Sequence, residues 1–398
     1  MPLRTSFSTS PRHRSSSRDS LAGSASRSER RGLTIALVLT VMLAGCASRP
    51  EPQTLQPQAG MAREASDITI LAATDRAQTD ATPPVFGGDR GTLRYERFTI
   101  RQLSSAEAAA QANGSIARYR DPSKVFVTTG RHALNRSDFV QAIGQADATD
   151  KTIGVFVHGY NTSYQEAVFR LAQLSAETDR QAVPILFSWP SQGDFRGYVA
   201  DRDSATYARD DLVELLTMLS RSHAKGNITL VGHSMGAWLV MEAVRQLRLQ
   251  GRDDVVNRLQ IGLAAPDIDI DVFRNQVAAV GRLSPPITVL VSRDDRALAV
   301  SSRLAGGKPR LGLASADDPQ IKAMAERDGV RIIDITSLPS INALNHDRFV
   351  VFAARYSHAA QVGAFGELAQ AGAFLLNATG RILLAPPTRI ARIIERSP

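Results

Sequence analysis

The chain has 398 residues, 43% apolar and 22% charged, a composition that supplies a packed core and excludes a wholly disordered chain or a coiled coil. Its single cysteine, Cys46, excludes an intrachain disulfide framework and a thiolate zinc cluster. The net charge is +8, but seven Arg against two acids fall within residues 1–45, which leaves only +3 elsewhere. So small a remainder argues against a phosphate-backbone footprint and hence against nucleic acid as a partner.

In chain order, residues 1–31 are Ser- and Arg-rich, and Leu33 to Leu43 is an apolar run broken only by Thr34 and Thr40. A basic region, a short apolar core and small residues predict a secretory signal over 1–45. The run is too short for a spanning helix, which needs about 20 apolar residues. Leu43-Ala44-Gly45-Cys46 resembles the bacterial lipobox. That resemblance implies cleavage before Cys46, its lipidation, and, with Ala47 next, an outer-membrane anchor facing the periplasm. Residues 46–65, rich in Pro, Gln and Ala, are expected to form a flexible tether.

From Ile68 onward, short β-branched runs alternate with helical patterns. Strands are predicted at Ile68–Ala73, Leu93–Ile100, Thr152–Val157, Val183–Phe187, Ile228–Val231, Leu259–Leu263, Ile287–Val291 and Arg331–Ile335. Continuous apolar runs such as Ile153-Gly-Val-Phe-Val157 suit strands buried on both faces. Helices are predicted at Tyr164–Ala176, Tyr207–Arg221, Ala237–Leu249, Asp318–Arg327 and from Asp347 to Tyr356. The first two strands have no helical pattern between them, which suits an antiparallel start. The expected architecture is one α/β domain over 66–356, a mostly parallel eight-stranded sheet with helices on both faces. Residues 357–398 are expected to be a helical, basic tail.

The chemistry centres on Gly232-His-Ser234-Met-Gly236, which lies between a predicted strand and a predicted helix. This pattern makes a sharp turn that exposes a serine hydroxyl at the carboxyl edge of a sheet. A serine nucleophile needs a base, and the base an orienting acid. In the chain order Ser, acid, His, only His346 and His358 qualify as base. His346 is preferred because its loop follows the strand Arg331–Ile335, whereas His358 lies a helix later. Acids cluster in Asp267/Asp269/Asp271 and in Asp294/Asp295, and one cluster is expected to be structural, since Asp is a strong helix cap. An acyl-transfer oxyanion needs two donors: the backbone N–H of Met235 and of Tyr160, in the turn His158-Gly159-Tyr160, are the candidates. No spacing of His, Asp or Glu suggests a metal site, and none of the motifs calls for a cofactor.

Val157-His-Gly-Tyr-Asn-Thr162, Phe187-Ser-Trp-Pro190, Gly197-Tyr-Val-Ala-Asp-Arg-Asp-Ser204, Gly232-His-Ser-Met-Gly236, Ala264-Ala-Pro-Asp-Ile-Asp269 and Asp295-Arg-Ala-Leu298 together resemble a bacterial branch of the α/β-hydrolase superfamily whose function is unknown. Ala73-Thr-Asp-Arg76 and Phe86-Gly-Gly-Asp89 resemble its opening region. The resemblance spans 68–356 and implies a Ser234–Asp295–His346 triad; of the remaining acids, Asp294 is expected to be exposed and Asp267 or Asp269 structural. The strand Ile287–Val291 is expected beside the one preceding His346, which brings Asp295 to the imidazole. Short connections leave no room for a large lid, so the expected substrate is a small or accessible acyl ester. The alternative is a catalytically silent hydrolase fold serving as an envelope scaffold.

Overall fold

In the computed structural model, which describes residues 49–58, 64, 66–80, 85–104, 122–147, 152–178, 182–222, 227–361 and 375–376, the strand–helix alternation forms a single sheet. Its strands are β1 (Ile68–Gln78), β2 (Phe86–Gln102), β3 (Phe126–Leu134), β4 (Thr152–Val157), β5 (Ala182–Ser188), β6 (Ile228–His233), β7 (Leu259–Ala264), β8 (Ile287–Val291), β9 (Val330–Asp334) and β10 (Leu375–Leu376). They lie in the order β10-β9-β8-β7-β6-β4-β5-β1-β2-β3. β1–β2 and β2–β3 are antiparallel, and the remaining pairs are parallel.

The helices are α1 (Arg136–Asp147), α2 (Tyr164–Glu177), α3 (Tyr198–Tyr207), α4 (Arg209–Ser222), α5 (Met235–Leu249), α6 (Asp253–Val256), α7 (Ile270–Val280), α8 (Arg296–Leu304), α9 (Pro319–Asp328) and α10 (Arg348–Gln361). The sheet separates two cores, and strand alternation assigns side chains between them. Val155 and Val157 of β4 pack with Leu215, Leu219, Val240 and Val244 of α4 and α5 on one face. Phe156 joins Phe169 of α2 and Phe349 of α10 on the other. α2 starts at a capping box in which Ser163 accepts from the Glu166 N–H and the Glu166 carboxylate accepts from Ser163 N–H.

Three boundaries differ from the sequence reading. The described sheet has ten strands rather than eight. β3 escapes the pattern because Thr128-Thr-Gly-Arg-His132 lacks apolar alternation at the sheet's open edge. β10, which pairs Leu375 with Ile332 and Leu376 with Ile333, comes from the stretch expected to be tail. Part of the expected tether is packed: Pro52–Leu55 form a 3-10 turn, Leu55 is 2% exposed, and Gln58 N–H donates to Thr128 O at 2.9 Å. The signal segment and Cys46 lie outside the described residues.

The parallel strands β4, β6, β7, β8 and β9 all point their carboxyl ends to one edge, so the loops after Val157, His233, Ala264, Val291 and Asp334 converge there. If residues 50–58 belong to the fold, Leu55→Ala should lower the unfolding free energy by about 2–3 kcal/mol in urea titration. An unchanged midpoint would make the segment a passive tether.

Candidate active site

Ser234 is the residue between β6 and α5, at φ 54° and ψ −118°. A side chain in this left-handed region is strained and persists only where its surroundings fix it. Here Ser234 N–H donates to Ala264 O at 2.9 Å, and Ser234 O accepts from Asp267 N–H at 3.2 Å and Ala237 N–H at 3.0 Å. Two glycines permit the packing. A Cβ on Gly236 would stand 2.3 Å from His158 O, and one on Gly159 would stand 2.9 Å from Ser234 Cβ. The His158-Gly159 turn therefore rests directly against the serine turn.

His346 follows β9 in a loop shaped by Asn342, whose Oδ1 accepts from Leu344 N–H at 2.9 Å, and by Asn345 at φ 60°. Its Nδ1 lies 2.7 Å from Asp295 Oδ2, and the Asp295 carboxylate is fully buried. The other oxygen of Asp295 caps α8 by accepting from Leu298 N–H at 3.0 Å. The His346 ring lies 4.6 Å from the ring of His233, the residue before the serine, and His233 Nε2 is 3.3 Å from His346 O. Among the described residues no hydrogen bond joins Ser234 Oγ to the imidazole.

Of the two acid clusters, only the second meets an imidazole. Asp267 is engaged by Arg310 Nε at 3.1 Å, by Tyr198 OH at 2.9 Å and by Ser301 Oγ, and Asp269 caps α7. Asp294 is half-exposed as expected, but it is not idle: it pairs with Arg348 and accepts from Asn345 Nδ2 at 3.0 Å. His358 lies inside α10 rather than after it. Met235 begins α5, so its N–H has no acceptor within the helix. Tyr160 follows Gly159 beside Ser234, and its hydroxyl donates to Phe195 O.

Three neighbouring imidazoles have different electrostatics. Burial depresses His346 most strongly, but the charge and hydrogen bond of Asp295, with Asp347 and Asp267, outweigh it and raise the pKa above 6.5. His233 falls to about 3 through burial and the nearby His346. Burial and the Arg76 charge hold His158 well below the ordinary range. The sequence reading passed over Asp347, which ion-pairs with Arg170 at 3.4 Å; burial raises its pKa, but Arg170, His233 and His346 bring it below 3.8 overall. Its adjacency to His346 was the available signal. Among the described residues no three His, Cys, Asp or Glu side chains gather as metal ligands would.

Residues 108–359 match the model of a family described as "Alpha/beta hydrolase of unknown function (DUF900)". No curated protein matches the chain. A solved structure titled "Putative hydrolase from Agrobacterium vitis S4" aligns at 13% identity over 65% of this chain and 98% of that one, with a TM-score of 0.29.

The His346–Asp295 pair has a direct readout. In an NMR titration, His346 should lose its proton above pH 6.5, and Asp295→Asn should move the transition down, because burial then acts without the carboxylate. A transition left in place by Asp295→Asn would mean that the two side chains do not interact in solution.

Proposed function

The chain belongs to this alpha/beta hydrolase family, and on that premise we propose that it is a serine hydrolase that cleaves carboxylic esters through an acyl-enzyme. The observation that carries the reading is the combination of a serine at φ 54° in a strand–turn–helix and a buried carboxylate 2.7 Å from an imidazole whose ring lies 4.6 Å from that of His233, the residue before the serine. In this reading His346 Nε2 takes the Ser234 Oγ proton as the oxygen attacks the ester carbonyl. Asp295 keeps the other proton on Nδ1 and stabilises the imidazolium. Met235 N–H, at the positive end of the α5 dipole, and Tyr160 N–H would receive the oxyanion. The imidazolium then protonates the leaving alcohol, and water, activated by the same nitrogen, releases the acid. The raised pKa of His346 stabilises the imidazolium formed in each step.

We further infer an envelope lipoprotein, with residues 1–45 as leader, Cys46 as the lipidated residue and an outer-membrane position facing the periplasm. The sequence pattern supports this. Packing from Pro50 onward has a consequence for it: with Gln165 Nε2 donating to Pro50 O at 2.9 Å, the tether shrinks to the few residues after Cys46, a reach of roughly 14 Å. Such an anchor would keep the hydrolase at the bilayer surface, where small or accessible acyl esters are its proposed substrates.

Ser234→Ala should abolish labelling by a fluorophosphonate probe and lower turnover of p-nitrophenyl esters by roughly a million-fold, with an unchanged circular dichroism spectrum. Labelling that persists at another serine would reject the assignment, and an unreactive wild type would favour the scaffold alternative. Cys46→Ser should leave the leader uncleaved or release the protein from the membrane fraction. A mutant still membrane-bound at its processed mass would exclude the lipid anchor.

A further inference from the structure

Arg76, near the carboxyl end of β1, is a charged side chain only 1% exposed. Burying a guanidinium is costly unless its donors are met, and here they are. Nε donates to Ser188 Oγ at 2.9 Å, Nη1 to Gly87 O and Ser191 O at 2.8 Å each, and Nη2 to Thr162 O at 2.8 Å. A second Nη2 contact reaches His158 Nε2 at 3.4 Å. None of these hydrogen-bond partners is a carboxylate, although the Asp75 and Asp201 charges lie near enough to favour the guanidinium. What the partners share is position: they border the His158–Thr162 turn that lies against Ser234.

We propose that Arg76, Ser188 and His158 form a directional hydrogen-bond relay that orients the Gly159–Tyr160 peptide, so that Tyr160 N–H faces the oxyanion formed by attack of Ser234. The proposal rests on the serine-hydrolase reading, and it makes all three positioning residues rather than catalytic ones.

The direction of the relay follows from donor and acceptor inventory. A guanidinium has no acceptor, so Ser188 Oγ must accept from Arg76 and has one proton to pass on. Its neighbour is His158 Nε2 at 3.1 Å. That nitrogen therefore accepts, and the proton of the neutral ring sits on Nδ1, which donates to Gly159 O at 2.9 Å. The ring stays neutral because burial and the Arg76 charge both disfavour the imidazolium. In a trans peptide the C=O and the following N–H point to opposite sides. Fixing Gly159 O toward the imidazole thus turns Tyr160 N–H away from it, on a peptide whose Gly159 Cα stands against Ser234.

Both flanks of that peptide are tied. Trp189 Nε1 donates to His158 O at 2.8 Å, and its ring stacks on the imidazole at 5.0 Å. Beyond Tyr160, Asn161 takes a left-handed φ of 55°, its N–H donating to Asp201 Oδ2 at 3.1 Å. Thr162 N–H donates to Ser191 Oγ at 3.1 Å, and Ser191 Oγ in turn donates to the same Asp201 oxygen at 2.6 Å. Arg76 and Asp201 are thus two buried charges gripping one five-residue turn, Arg76 at His158 and Thr162 and Asp201 at Asn161.

The tautomer can be read without any catalysis. In the purified full-length protein with 15N-labelled histidine, the His158 signal, assigned by its loss in His158→Phe, should show a protonated Nδ1 and an unprotonated Nε2 from about pH 5 to 9. The opposite tautomer, or an imidazolium in that range, overturns the relay whether or not Ser234 is the nucleophile. Kinetically, His158→Phe keeps a flat ring on Trp189 but loses the Nδ1 donor. It should lower kcat for a p-nitrophenyl ester roughly a hundredfold, the scale of losing one oxyanion donor. KM should stay nearly constant, and fluorophosphonate should still label Ser234 to completion, more slowly. An unchanged kcat in a folded variant overturns the proposal. If His158→Phe does not fold, Ser188→Ala carries the same test: it should lower kcat about tenfold, Ser188→Thr should restore it, and a Ser188→Ala enzyme as fast as wild type is the overturning result. A wild type that takes no label at Ser234 and cleaves no ester would instead sink the serine-hydrolase reading, and the tautomer would still decide the relay.

Discussion

The architecture of the site depends on one close backbone contact, the turn after β4 lying directly against the turn after β6. A Cβ at Gly236 would sit 2.3 Å from His158 O and 2.5 Å from Val157 O, so the two turns can meet only where that side chain is absent. The contact holds Ser234 in its left-handed conformation and brings Gly159 against the Ser234 side chain, an added Cβ there standing 2.9 Å from Ser234 Cβ. β4 and β6 are hydrogen-bonded neighbours from Ile153/Ile228 to Val157/Gly232. A parallel sheet delivers this juxtaposition without further design, because neighbouring strands end at one edge. The other loops at that edge then need only reach inward, as Asp267 N–H does to Ser234 O.

Electrostatics divides the imidazoles gathered there by what each one faces. His158 faces a guanidinium, His233 faces another imidazole, and His346 faces a carboxylate. All three are depressed by burial, and only the carboxylate reverses the sign. One histidine can therefore cycle its proton while its neighbours stay neutral as fixed donors and acceptors. Perturbed groups of this kind concentrate at functional sites, although His158 and His233 owe their shifts to packing around the turns and not to proton transfer.

Much of this was legible in the sequence where local pattern and local structure coincide. The apolar runs of β4 and β8 are largely buried on both faces, and the glycines around Ser234 mark a turn whose chemistry is local. Less legible was whatever depends on contacts across the chain. β3 reads as polar because it closes the antiparallel edge, and α3 shows no apolar stripe because its buried positions include Asp201 and Ser204. Arg76 and Asp201 lie 125 residues apart in sequence, and nothing in the periodicity of either segment says that they converge on the same turn. Asp295 was singled out over Asp267 by the expected pairing of its strand with the one before His346, and β8 does lie beside β9, which sets the Asp295 loop against the loop of His346.

The adjacent pair Asp294 and Asp295 shows how such a loop assigns roles that composition cannot. Consecutive side chains leave the backbone in different directions, so two carboxylates one residue apart meet different partners. Asp295 points into the protein and divides its oxygens between the α8 cap and the imidazole. Asp294 points outward and holds Arg348, whose Nη1 also donates to Ser292 Oγ at 2.5 Å and whose Nε donates to Leu338 O at 2.8 Å. Arg348 opens α10, two residues after His346, so Asp294 fixes the loop from outside while Asp295 fixes the ring from within. Asp295 holds the N–H of Leu298 on one oxygen and the imidazole on the other, so losing this one carboxylate frees both. A one-residue exchange of duties would therefore cost both the cap of α8 and the anchor of the histidine loop. The two acids form one mechanical unit even though only one of them meets the imidazole.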